Sequence, residues 1–202
     1  MCKFLSAIVK PNGDVICRPD ATDAHSDLIE FAGIDDRTTE SVCCVEFTSN
    51  TPFDPDTYVL RVDQSRRPTW FSEDMEQRTA EDLLARINRM VIREDKKILL
   101  GGAWLIPPDV TVERAVRSRV VLCAGRLTVA VNSQVGEMRG SSQVGKMLDS
   151  SQVGEMWGSS QVGQMWGSSQ VGEMLGSSQV GKMWGSSQAP RKPTLTRKLV
   201  AP

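Results

Sequence analysis

The only histidine of the chain, His25, lies between Asp23 and Asp27 in the segment DATDAHSDLIE. A histidine with carboxylates in reach can act as a general base or hold a metal ion. These three residues are therefore the cluster whose types could carry catalysis. The competing reading is a surface helix whose acids cap its start and whose histidine does no chemistry. Cys2 is a second candidate, because loss of Met1 would expose an N-terminal cysteine whose own amine can serve as base. The Lys3-Phe4 that comes next lends this no support. Other chemistries lack their signatures. There is no GxxxxGK[ST], GxGxxG, HExxH or GxSxG, which leaves out the common phosphate, dinucleotide, zinc-protease and serine-hydrolase sites. The cysteines (Cys2, Cys17, Cys43, Cys44, Cys123) are odd in number and lack CxxC spacing, so neither a zinc knuckle nor a disulfide framework is indicated. No metal and no cofactor is expected.

The elements that would position His25 form an α+β head, residues 1–107. FLSAIV, PNGD and VIC read as a hairpin, with Asn12-Gly13 supplying a type I′ turn. Asp23 or Thr22 can cap a short helix through Leu28, Ile29 and Phe31, ended by Gly33. Strands are expected at 42–48 and 57–62, the first placing Cys43-Cys44 in the core. The strongest helix covers roughly 73–92, with Met75, Ala80, Leu83, Leu84, Ile87, Met90 and Val91 on one stripe. ILL, Gly101-Gly102 and AWLI read as a second hairpin. The head is expected to shield the first rung of the C-terminal half.

That half is dominated by a repeat. From Ser133 the chain runs through six near-identical nonapeptides of the form SQVGxM. Val recurs at 135, 144, 153, 162, 171 and 180, and Met at 138, 147, 156, 165, 174 and 183. Glycine after each Val disfavours a helix by about 1 kcal/mol per copy, and the Ser pairs compete for backbone hydrogen bonds. Short strands and tight corners remain, hence a β-solenoid (β-helix). Val135, Val144, Val153, Val162, Val171 and Val180 with Met138, Met147, Met156, Met165, Met174 and Met183 are its core, since the residue before each Met alternates among Glu, Lys and Gln and no dry interior holds those unpaired. One nonapeptide is too small to enclose this core, so two repeats make a coil. Glu137, Glu155 and Glu173 then share one face, and Lys146, Gln164 and Lys182 the other.

The position after Met carries Arg139, Leu148, Trp157, Trp166, Leu175 and Trp184. Either these residues shield the corners, or Trp157, Trp166, Trp184, Leu148 and Leu175 form a contact stripe for a partner or a second subunit. Upstream the repeat decays through residues 108–131, where Val120 and Cys123 take the Val and Met positions and RLTVAV makes a shortened unit around Val129. The array proper is 132–188. Downstream, Ala189 and Pro190 stand where Val and Gly would be, and Pro closes a strand edge. The tail, 189–202, is basic and contains prolines.

Charge is partitioned along the chain. The net of -1 sums a head of -7 over residues 1–110, +3 over 111–131, -1 over 132–188 and +4 over the tail. Nucleic acid is not an expected partner except through that tail. No apolar run reaches the roughly 20 residues of a membrane helix, and the first residues do not read as a secretory signal. A cytoplasmic location without membrane contact is expected.

MCKFLSAIVKPNGDV, DAHSDLIEFAGI, VEFTS, LRVDQ, LLGGAWLI and the GSSQVGxMW array together resemble uncharacterised repeat proteins of bacterial and phage-derived sequences, in which a small α+β head precedes a tandem-repeat solenoid. The resemblance implies architecture and no activity or site residues. The functional expectation is a non-enzymatic protein that presents a solenoid surface to a protein partner or to itself. The alternative is a small enzyme or nucleotide-binding head centred on His25, with the solenoid as scaffold.

Overall fold

The computed structural model of the protein describes residues 5–22, 24–35 and 38–190. Its head is a four-stranded antiparallel sheet of order β2-β1-β3-β4, built from Leu5–Val9 (β1), Val15–Ile16 (β2), Cys43–Thr48 (β3) and Val59–Val62 (β4). The β1–β2 turn is not type I′. Gly13 alone has positive φ, at 88°, and its N–H donates to the Lys10 carbonyl at 2.9 Å. Pro11 locks its own φ negative, so a type I turn forms over Pro11-Asn12 and Gly13 takes the left-handed position after it.

Two helices flank this sheet. The first, α1 (His25–Ala32), ends at Gly33 in the left-handed region. The second, α2 (Glu73–Met90), is capped by Ser72, whose hydroxyl accepts the Met75 N–H at 3.3 Å, and has Glu73, Asp74 and Glu76 in its first turn, where the helix dipole favours acids. Its apolar stripe buries Leu83, Ile87 and Met90 in a cluster with Leu5, Val45 and Phe47.

The rest is a two-sheet parallel β-solenoid with the interior between the sheets. One sheet has the order β14-β12-β10-β8-β6 and the other β15-β13-β11-β9-β7-β5. The irregular strands are Lys96–Leu100 (β5), Ala103–Ile106 (β6), Thr111–Val116 (β7), Arg119–Cys123 (β8) and Arg126–Val131 (β9). The repeat strands are Gln134–Met138 (β10), Gln143–Leu148 (β11), Gln152–Met156 (β12), Gln161–Met165 (β13), Gln170–Met174 (β14) and Gln179–Met183 (β15). Val135 lies beside Val153, and Val144 beside Val162, so each coil holds two nonapeptides. The corners stay in the ladder as well: Trp157 N–H donates to Met138 carbonyl at 2.8 Å and Ser159 N–H to Gly140 carbonyl at 2.9 Å.

The start of the solenoid departs from expectation in three ways. First, residues 98–106 are not a hairpin. β5 pairs in parallel with β7, and β6 with β8, while Gly101 and Gly102, both with positive φ, turn the corner between sheets. The first coil thus begins at Lys96, inside the segment assigned from sequence to the head. Second, the shortened unit is centred on Leu127 and Ala130, which lie beside Val144 and Met147. Val129 aligns with Lys146 instead. Keeping the three-residue spacing of interior positions sets that register. Third, the head does not sit over the first rung. Leu105 and Leu122 share the buried cluster of Leu83, Ile87 and Met90, and Leu122 stands in register with the outward Glu137, so α2 packs on the outer face of β6 and β8. Only the segment after α2 reaches the rung edge, through a parallel bridge of Val91 to Leu105, with Ile92 plugging the interior.

Candidate functional site

In the head, α1 places His25 against the sheet, its side chain 14% exposed. Nε2 lies 3.0 Å from the Val45 carbonyl and Nδ1 3.3 Å from Asp63 Oδ2. Asp27 turns the other way and accepts the Thr22 hydroxyl at 2.7 Å, while Thr22 takes the Ala24 N–H at 3.1 Å. The expected His25–Asp27 pairing is therefore not formed. The carboxylate beside His25 is Asp63, just past β4, a residue sequence reasoning missed because no local pattern links positions so far apart. With both ring nitrogens on groups of the neighbouring strands, His25 fastens α1 to the sheet. Asp23 and Cys2 lie outside the described residues. Among the described residues no group of three or more His, Cys, Asp or Glu side chains is placed to hold a metal ion.

The thiols of Cys17, Cys43 and Cys123 are held in their unreactive form. Burial pushes Cys43 and Cys123 up from 9.0 to about 12. Cys17 is raised too, since burial outweighs the adjacent Arg86 guanidinium. Nucleophilic or redox cysteines are tuned in the opposite direction. Arg86 itself clamps the hairpin to α2, donating to Asp82 at 2.8 Å, Cys17 Sγ at 3.2 Å and the Val15 carbonyl at 3.1 Å. The open groove beside it, about 780 Å³, is lined by Asn12, Asp14, Met75, Arg78, Asp82 and Arg86. His25 is not among its walls.

In the solenoid, Val135, Val144, Val153, Val162 and Val171 and Met138, Met147, Met156 and Met165 are buried. Toward the C-terminal end the columns open: Met174 and Val180 are half-buried, and Met183, expected in the core, is exposed because no further coil covers it among the described residues. A third column was not anticipated: the Ser just before each repeat strand, at 133, 142, 151, 160, 169 and 178, is also buried. Serine reads as a corner residue from its type. The only hint was its invariance beside Val and Met.

The outward residues form ladders. Glu137, Glu155 and Glu173 are neighbours down one sheet, and Lys146, Gln164 and Lys182 down the other. The residues after Met divide between the two corners. Arg139, Trp157 and Leu175 border the acidic column, and Leu148, Trp166 and Trp184 the basic one. What the sequence suggested as one stripe is two. Arg139, Trp157 and Trp166 each fold back over the residue two before them. Arg139 Nε donates to Glu137 at 2.7 Å, Trp157 Nε1 to Glu155 at 2.8 Å, and Trp166 Nε1 to Gln164 at 3.4 Å. Trp166 and Trp184 stack with ring centroids 4.2 Å apart and planes 16° apart. The three Trp side chains are still exposed on their outer faces.

Among the described residues, no helix is long and apolar enough to cross a membrane. Comparison of the chain with protein-family models, curated proteins and solved structures gives no match in any of the three.

Proposed function

We propose that the protein works by binding rather than catalysis, presenting the sides of its solenoid to a protein partner or to a second copy of itself. The observation that carries this reading is the pairing of charge with exposed aromatic surface. A Glu column runs beside Trp157 and Leu175, and a Lys/Gln/Lys column beside the Trp166–Trp184 stack. Interfaces favour aromatic anchors that bring large rigid area at low entropic cost, and columns of like charge give a partner direction and register. The head supports the same reading, since its one histidine is tied to Val45 and Asp63 and its buried thiols are held protonated.

The test compares the full chain with the Trp157→Ser/Trp166→Ser/Trp184→Ser variant in affinity capture and in solution mass. A defined protein, or a second copy, held by the wild type and released by the triple variant is the expected result. A small ligand retained by the wild type and lost on His25→Ala would overturn it in favour of an enzymatic or ligand-binding head.

A further inference from the structure

A parallel solenoid has four sheet ends, and each exposes a row of backbone donors and acceptors able to recruit another strand. Three of the four are guarded here. The β6 edge is met by the Val91 bridge, with Ile92 N–H donating to the Leu105 carbonyl at 3.0 Å. The β14 edge is met by Gln188, which bridges Gln170 and accepts the Val171 N–H at 2.9 Å; Pro190 comes two residues later with no N–H to offer. The β5 edge carries Lys96 at the register position of the interior Val112, with Lys97 next to it, and charge at an inward position is a recognised guard against edge pairing.

Among the described residues, none of these devices meets the β15 edge. Its interior positions are Val180 and Met183, and Met183 is 40% exposed where the same residue in the coils below is buried. Trp184 is 36% exposed beside it. By analogy with Val171, whose N–H reaches the next strand, the Val180 N–H points out of the end.

We infer that the β15 edge is the interface with a second copy of this chain, joined antiparallel about a twofold axis. The order of inward and outward residues along β15 suits such a contact. Gln179 is outward, Val180 inward, Gly181 and Lys182 outward, Met183 inward and Trp184 outward, a pattern that reads the same in both directions. Antiparallel pairing centred between Gly181 and Lys182 sets Val180 on the partner copy's Met183 position and Gly181 on its Lys182 position. Interior then meets interior, as an isologous contact requires, and neither Lys182 faces its own equivalent directly. Head-to-tail stacking on β5 is disfavoured, because parallel register would set Lys96 over Val180. The inference rests on the solenoid being an assembly surface, and it names the end, rather than the sides, as the self-contact.

Sedimentation of the full chain over a range of concentrations tests it. The expected species is a dimer of twice the monomer mass. Val180→Lys, which copies the guard found at Lys96, should weaken it about a hundredfold, because an interfacial charge is left without a partner. Val59→Ser, at an exposed position of the head sheet, should leave it intact. Hydrogen exchange provides a readout independent of these variants: the Val180 amide should gain protection at dimer concentrations while the Val144 amide stays unchanged. A monomer at every concentration would overturn the end contact yet leave partner binding by the sides standing. Higher multiples that persist in Val180→Lys would overturn it too, and a dimer lost in Trp157→Ser but kept in Val180→Lys would move self-contact to the sides.

Discussion

A β-carbon built on Gly154 would lie 2.6 Å from the carbonyl oxygen of Gly136 in the neighbouring coil. The same approach recurs at Gly163, 2.7 Å from Gly145, and at Gly172, 2.6 Å from Gly154. Val and Met both point inward with two residues between them, so the chain arches outward at Gly-x and the arches nest. The glycine after Val is thus required by closeness of backbones rather than by a left-handed dihedral. Gly154→Ala is expected to destabilise the protein by about 1–3 kcal/mol, the usual range for an added methyl in a packed site. Urea unfolding followed by circular dichroism measures it. A midpoint equal to wild type would show that the arches have slack.

The buried serine column makes a paired prediction. Ser151 Oγ donates to the Leu148 carbonyl at 2.7 Å and receives the Ser133 N–H at 3.3 Å. Ser160 Oγ is buried and has no hydrogen-bond partner among the described residues. Ser151→Ala should cost about 1 kcal/mol, whereas Ser160→Ala should be neutral or stabilising by up to about 1 kcal/mol, since it removes a buried hydroxyl that gains nothing in the fold. Unfolding midpoints of the two variants, measured side by side, check the opposite signs.

How far these features were legible depends on whether the chemistry was local. The Val135 and Met138 columns could be read because their neighbours vary in charge while they do not. Two repeats per coil came from the size of that core. The Ser133 column was missed because serine's type argues for a turn, and only packing shows that the corner is interior. The first coil was missed because Lys96 occupies an inward register position and masks the pattern, while Gly101-Gly102 imitates a hairpin turn. His25 was recognised as the residue worth watching, but its companion Asp63 arrives from another strand. Asn12-Gly13 suggested type I′, and Pro11, one residue earlier, decided against it.

The buried thiols give a dependence on pH. Cys43 and Cys123 ionise at about 12 in the fold against 9.0 when exposed, and Tyr58 is shifted upward by burial as well. In each case the folded state holds its proton more tightly than the unfolded chain. The stabilisation is full below pH 9 and is lost as pH rises from 9 toward 12. The urea midpoint should therefore fall as pH is raised from about 8.5 to about 10.5, and Cys43→Ala/Cys123→Ala should show a shallower fall. At about pH 8 neither thiol should react with a maleimide until the protein is unfolded.

The same residue type stands at two heights in the stack. Met156 is fully buried between its equivalents Met138 and Met174, whereas Met183, in the terminal strand, is 40% exposed with a neighbour on one side only. Met156→Ala should cost about 2–5 kcal/mol, the transfer of the lost atoms plus a cavity that nested backbones cannot close. Met183→Ala in dilute solution should cost well under half of that, because the site is already partly open to water. If β15 is the self-contact, the cost of Met183→Ala should grow with protein concentration, as the partner copy's Val180 supplies the missing neighbour. Met156→Ala should show no such dependence. Thermal unfolding of both variants at two concentrations about a hundredfold apart reads the difference, and a Met183→Ala cost that stays constant would argue that the end of the stack remains uncovered.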